Sequence, residues 1–130
     1  MSDLAEIIQS VGFALDIGYW LVEVETRTVY WPRGLGRPPG VAGATGYRSG
    51  HLDMVTDLVD EADQGRFRGY LAELLGSDGS VHTFDMTIQS SWGTRIPVRL
   101  GGRKVGSGRE SRIVGLVEVV THERETERLA

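Results

Sequence analysis

The sequence predicts an α+β domain: one antiparallel sheet of five strands with helices on one face and an amphipathic helix ahead of it. Three observations lead there. Residues 17–25 and 113–120 are rich in β-branched and aromatic side chains and apolar on both pleat faces, as strands at the centre of a covered sheet are. Phe67, Tyr70, Leu71 and Leu74 recur at i, i+3, i+4 and i+7, the spacing of a helix with one buried stripe. The order is helix, two strands, an irregular helical middle, then three strands, with short turn-rich connections that suit antiparallel neighbours.

Leu4, Ile7, Ile8 and Val11 form an apolar stripe over residues 1–12, with Asp3 and Glu6 spaced as a capping pair and Gly12 as a stop. This helix would lie over the outer face of the central strands or in a dimer contact. Strands over residues 17–25 and 28–31 follow, joined tightly around Glu25-Thr26-Arg27 as a hairpin. Trp20, Val22 and Val24 share one face of the first strand; Tyr19, Leu21 and Glu23 share the other. Residues 32–50 are dense in glycine and proline and read as irregular. Gly34-Leu35-Gly36 with Gly40 lacks both the GxGxxG order and a Gly-Lys-Ser/Thr ending, which argues against a phosphate loop.

A short helix is expected over residues 51–59, with Leu52, Val55 and Val59 on one side, and a longer one over 63–75, stopped by Gly76. After the turn Ser77-Asp78-Gly79-Ser80, a strand over 81–90 alternates His82, Phe84, Met86 and Ile88 with Thr83, Asp85 and Thr87. A further strand over 94–100 alternates Ile96, Val98 and Leu100 with Arg95, Pro97 and Arg99, and residues 101–109 read as a flexible connection. The last strand, 113–120, stops at Thr121, which is placed to cap a charged tail rich in Glu and Arg. The organisation is thus a cap or dimerisation helix at 1–12, one domain at 13–121, and the start of a linker or signalling helix at 122–130.

Composition narrows the chemistry. The 130 residues carry a net charge of −4 and no cysteine, which removes disulfides, thiolate nucleophiles, iron–sulfur clusters and cysteinyl-flavin adducts. No apolar run approaches the roughly 18 residues of a membrane span, and the amino terminus does not look like a secretory signal, so a cytoplasmic protein is expected. Arg95, Arg99, Arg103, Lys104, Arg109 and Arg112 cluster late. With an acidic overall balance and no interleaved aromatics, they read as solvated strand edges and not as a nucleic-acid site. No serine, histidine and carboxylate grouping or metal spacing stands out, so no enzyme is expected.

Gly18-Tyr19-Trp20-Leu21-Val22-Glu23-Val24-Glu25-Thr26 followed by Val29-Tyr30-Trp31, Val59-Asp60-Glu61-Ala62-Asp63 before the long helix, Ser77-Asp78-Gly79-Ser80 entering a strand, and Val114 to Thr121 running into Glu123-Arg124 together resemble a PAS domain. The resemblance spans about residues 11–128, and it is carried by the order and spacing of these pieces. Two departures stand out. Val119-Val120-Thr121 replaces the Asp-Ile-Thr that often ends the family's last strand, removing a carboxylate that commonly ties the core to the exit helix. Asp60-Glu61-Ala62-Asp63 is a degenerate form of its His-Pro-Asp-Asp element.

The resemblance implies strand order 2-1-5-4-3, a cleft between sheet and helices, and a regulatory role in bacterial-type signalling proteins, usually as a homodimer attached to an output domain or engaging a partner signalling protein. Cleft candidates are Trp20, Trp31, Leu58, Phe67, Leu71, Phe84 and Met86; interface candidates are Leu4, Ile7, Ile8, Val11, Tyr19 and Leu21; Val120 and Thr121 are placed to carry a signal out. None of His51, His82 and His122 lies on the 63–75 helix, where haem-binding relatives place their ligand. Haem is therefore disfavoured, as is a cysteinyl flavin; no cofactor is expected, and a non-covalent flavin stays open. The alternative role is a ligand-free docking platform whose cleft is filled by its own side chains.

Overall fold

The computed structural model describes residues 17–35, 46–90 and 92–120. Six antiparallel strands form one sheet: β1 (Ile17–Glu23), β2 (Thr28–Pro32), β3 (Tyr47–His51), β4 (His82–Gln89), β5 (Arg95–Val105) and β6 (Arg112–Val119), in the order β3-β2-β1-β6-β5-β4. Helix α1 (Asp53–Thr56) and helix α2 (Glu61–Leu75) connect β3 to β4. The two strands expected at the centre are there: β1 and β6 pair along their lengths, from Ile17 opposite Glu118 to Glu23 opposite Arg112. The expected helix at 1–12, the tail at 122–130 and Thr121 lie outside the described residues.

Strand number and order differ from expectation. The sixth strand, β3, comes from the end of the stretch read as irregular and adds to the edge beyond β2, with Tyr47 opposite Pro32 and His51 opposite Thr28. Tyr-Arg-Ser-Gly-His has no apolar alternation because an edge strand buries little; its place is set by backbone pairing to β2 and by the Leu52 N–H, which donates to the Arg27 carbonyl at 2.8 Å. Three further corrections concern the other elements. The helix expected over 51–59 is the four-residue α1, because residue 51 belongs to β3 and Val59 instead makes an isolated bridge to Ile88. β5 does not stop at residue 100 but runs through Gly101 and Gly102 to Val105, held by β4 on one side and β6 on the other. The late arginines consequently do not lie on a sheet edge. Arg95, Arg99 and Arg103 sit on the outward face of an interior strand, and Arg99 pairs with Asp85 of β4 at 2.9 Å.

One face of this sheet is covered by the helices and forms the core. Trp20, Val22, Val29, Trp31, Met86, Ile88, Val98, Leu100, Ile113 and Val117 point inward from the strands and meet Val55, Val59, Phe67, Tyr70, Leu71 and Leu74. The four α2 residues that share the i, i+3, i+4, i+7 stripe are all buried, and burying side chains of that size contributes roughly 1.5–3 kcal/mol each before entropy.

Candidate functional site

Trp20 organises the centre of the inner face. Its indole N–H is shared between the carbonyls of Gly101 on β5 and Leu116 on β6, at 3.3 and 3.2 Å. The ring fits because the strands beneath it are bare: Gly102 and Gly115 are opposite each other, and Gly115 is opposite Trp20. A Cβ on Gly102 would stand 2.8 Å from the Trp20 ring and 3.0 Å from the Tyr70 hydroxyl. Tyr70 is fixed in turn, donating its hydroxyl to the His82 carbonyl at 2.7 Å and stacking on Phe84 with ring centroids 5.0 Å apart. Burial, and secondarily the nearby Glu73 carboxylate, push the Tyr70 phenol well above its usual range.

These contacts place the seven cleft residues. Trp20, Trp31, Phe67, Leu71 and Met86 are buried and packed against one another's neighbours in the core. Phe84 is half-buried at the β4 edge, with the Arg66 guanidinium 5.0 Å above its ring. Leu58 is half-buried and shares with Trp31 the wall of a cavity of about 100 Å³, between the ends of β2 and β4. Met86 instead borders an open depression of about 300 Å³ that also includes Asp63, Arg66, Val98 and Val120. Among the described residues, the cavity takes Trp31 and Leu58 and the depression takes Met86, while Trp20, Phe67 and Leu71 are packed in the layer between.

The depression brings Val120 to the start of α2. Val120 is buried and its N–H donates to the Pro97 carbonyl at 2.9 Å. Asp63 accepts from the Thr87 N–H at 2.9 Å and pairs with Arg66 at 3.0 Å, tying the first turn of α2 to β4. In the degenerate acidic element, then, the last carboxylate latches helix to sheet. Asp60 lies 3.7 Å from Arg95.

The outward face of the sheet is apolar at its centre. Leu116 on β6 is 55% exposed and Tyr19 on β1 and Tyr30 on β2 are each 37% exposed. Leu21 is half-buried beside them. Tyr19 stacks on Tyr47 of β3 with centroids 4.0 Å apart, and the Tyr47 hydroxyl accepts from the Tyr19 N–H at 3.2 Å. A groove of about 250 Å³, lined by Ile17, Thr83, Arg99, Gly101, Leu116 and Glu118, crosses this face where Gly101 leaves a gap. So β6 is apolar on both faces as expected, but its outer face is open at Leu116. Leu4, Ile7, Ile8 and Val11 lie outside the described residues. Among those described, no group of three or more His, Cys, Asp or Glu side chains could hold a metal ion, and no helix is long and apolar enough to cross a membrane.

Sequence reasoning missed the glycine bed under Trp20 and the β3 edge. Gly101-Gly102 read as part of a flexible connection, and only the pairing of β5 with β6 across residues 106–111 puts Gly102 opposite Gly115.

No protein-family model and no curated protein matches the sequence. Solved structures do match its backbone. A sensory box histidine kinase/response regulator from Burkholderia thailandensis superposes with a TM-score of 0.64 at 17% identity, over 94% of this chain and 90% of that one. The PAS domain of an HTR-like protein from Haloarcula marismortui superposes with a TM-score of 0.53 at 10% identity, over 92% of this chain and all 100% of that one. This is a PAS fold. An RNA-binding light-oxygen-voltage receptor shares it with a TM-score of 0.56 at 11% identity, over 87% of this chain but 33% of that protein.

Proposed function

We propose that this PAS domain is a non-catalytic sensory and interaction module of a cytoplasmic signalling protein, that it pairs with a second copy through the outer face of its sheet, and that β6 relays the state of the core to an output domain or partner. The observation that carries this reading is the continuity of β6. It contributes Ile113 and Val117 to the core and Leu116 to the exposed outer face, and it leads directly into Val120 at the depression beside α2. A displacement of the core layer is felt on the outer face because both belong to one backbone. Fold relatives in signalling proteins, a sensory box histidine kinase among them, support the regulatory role. Ligand or partner binding would then shift the populations of dimer geometries.

Sedimentation equilibrium tests the interface. Wild type is expected to be dimeric at micromolar concentration and Leu116→Asp monomeric with an unchanged thermal midpoint, since a side chain 55% exposed contributes little to the monomer. Equal masses for the two proteins would overturn the outer-face dimer. The second reading, a docking platform without a ligand, is favoured by the packing of Trp20, Phe67 and Met86 into the core. Native mass spectrometry separates the two by showing whether a small molecule travels with the protein.

A further inference from the structure

The cavity of about 100 Å³ lies where the end of β2, the edge strand β3, the segment after α1 and the end of β4 converge. Its apolar wall includes Trp31, Leu35, Leu58 and Ile88, and the charged residues lining it are Arg33 and Arg48. Arg48 is opposite Trp31 in the β2–β3 register. It therefore leaves the strand on the helix-facing side of the sheet, beside a buried indole.

The other side chains that could bind a ligand there are already engaged. The Ser90 hydroxyl meets the Thr94 hydroxyl at 2.7 Å and accepts from the N–H groups of Trp92 and Thr94 at 3.2 and 3.1 Å. The Gln89 side-chain amide donates to the Gly93 carbonyl at 3.0 Å. The two guanidiniums are different: neither has an ion-pair partner among the described residues. Both arginines are exposed at the rim of the hollow, where they repel cationic ligands and offer charge-assisted hydrogen bonds to an anion that a neutral ligand cannot match.

We propose that this cavity binds a small carboxylate, with the guanidiniums of Arg48 and Arg33 holding the carboxylate and the Trp31, Leu58 and Ile88 wall taking a short hydrocarbon body. The guanidinium fork matches a carboxylate with two parallel charge-assisted hydrogen bonds. The size limits the body: about three liquid-water volumes suit a chain of roughly two to four carbons, well below a drug-sized ligand. The proposal rests on the sensory reading and supplies its ligand class. Binding is measured on this chain alone, so a failure to bind and a failure to dimerise are separate results.

Calorimetric and NMR titrations with butyrate, butyramide and inorganic phosphate test it, on wild type, Arg48→Gln, Arg33→Gln and Leu58→Trp. Butyrate is expected to bind saturably to wild type, roughly tenfold more weakly once either arginine is removed, and not at all to Leu58→Trp, in which an indole fills the hollow; butyramide is expected not to bind. Butyramide binding as well as butyrate would overturn the anion assignment, and phosphate binding as well as butyrate would overturn the apolar body. Unchanged butyrate affinity in both arginine variants would overturn the site, and aggregation of Arg48→Gln alongside it would make the inward arginine a guard of the β3 edge. The arginine variants alter side chains at the cavity rim, outside the packed core, so they keep the test decisive if Leu58→Trp does not fold.

Discussion

Gly102 and Gly101 are neighbours in one strand, yet alanine at the two positions is expected to change stability in opposite directions. At Gly102 the new methyl would lie 2.8 Å from the Trp20 ring, 3.0 Å from the Tyr70 hydroxyl and 3.3 Å from a Leu74 methyl. None of these can withdraw freely: Trp20 is held by two carbonyls, Tyr70 by the His82 carbonyl, and Leu74 is fully buried. Overpacking of this kind costs about 1–3 kcal/mol, and the restraint on both aromatic rings puts it in the upper half, at about 2–3 kcal/mol. Restricting the unfolded chain by a Gly→Ala change returns about 0.5–1 kcal/mol, leaving a net loss of about 2 kcal/mol. For a domain of this size that lowers Tm by roughly 6–10 °C. At Gly101 a Cβ meets nothing within 4 Å, so Gly101→Ala keeps the unfolded-state gain and raises Tm by roughly 1–4 °C. Thermal and urea unfolding followed by circular dichroism measure both. A Gly102→Ala midpoint within about 1 °C of wild type, or equal losses for the two variants, would refute the account of Trp20 lying on a glycine bed.

Tyr70→Phe removes the hydrogen bond to the His82 carbonyl while keeping the stack on Phe84, and urea unfolding is expected to show a loss of about 1–3 kcal/mol. Because the folded-state phenol is raised, its contribution is fully present below the unfolded value near 10 and is lost as pH rises through the folded value; wild-type stability should therefore fall above about pH 10, and Tyr70→Phe should flatten that fall. Asp63→Ala strands the Thr87 N–H and is expected to cost about 1–3 kcal/mol, against about 0.5–1 kcal/mol for Arg66→Ala, which breaks an exposed pair and the contact with the Phe84 ring; a larger loss for Arg66→Ala than for Asp63→Ala would place the latch at Arg66 instead. Val120→Ala is expected to cost about 1–2 kcal/mol with cooperative unfolding retained while changing the dimer dissociation constant, and an unaltered constant would count heavily against relay through β6.

Much of the fold was legible in the chain, and for a definite reason. Where one face of an element is buried, side-chain period reports it: the α2 stripe of Phe67, Tyr70, Leu71 and Leu74, and the Phe84, Met86, Ile88 alternation of β4, all face the core side. The site was less legible. Composition and spacing identified Trp20, Trp31, Phe67 and Met86 as inward-facing, but whether inward side chains fill a space or line it depends on how neighbouring elements close, which no local pattern carries. Arg33 and Arg48 gave no periodic signal, since Arg48 acquires its place from the pairing of β2 with β3 and Arg33 from its N–H, which donates to the Gly46 carbonyl just beyond that ladder.

The sequence by itself determined which strands lie at the centre, because β1 and β6 carry apolar side chains on both faces and only a central position has use for them. It also determined the long helix and the inward face of β4. Tertiary structure alone decided that Tyr47–His51 pairs as a sixth strand and that β5 continues across Gly101 and Gly102. The physical reason is the same in both places. A polar edge strand and a glycine-bearing strand have little side-chain preference of their own; backbone hydrogen bonds offered by β2 hold the first, and the room required by the Trp20 indole selects the glycine at position 102 in the second.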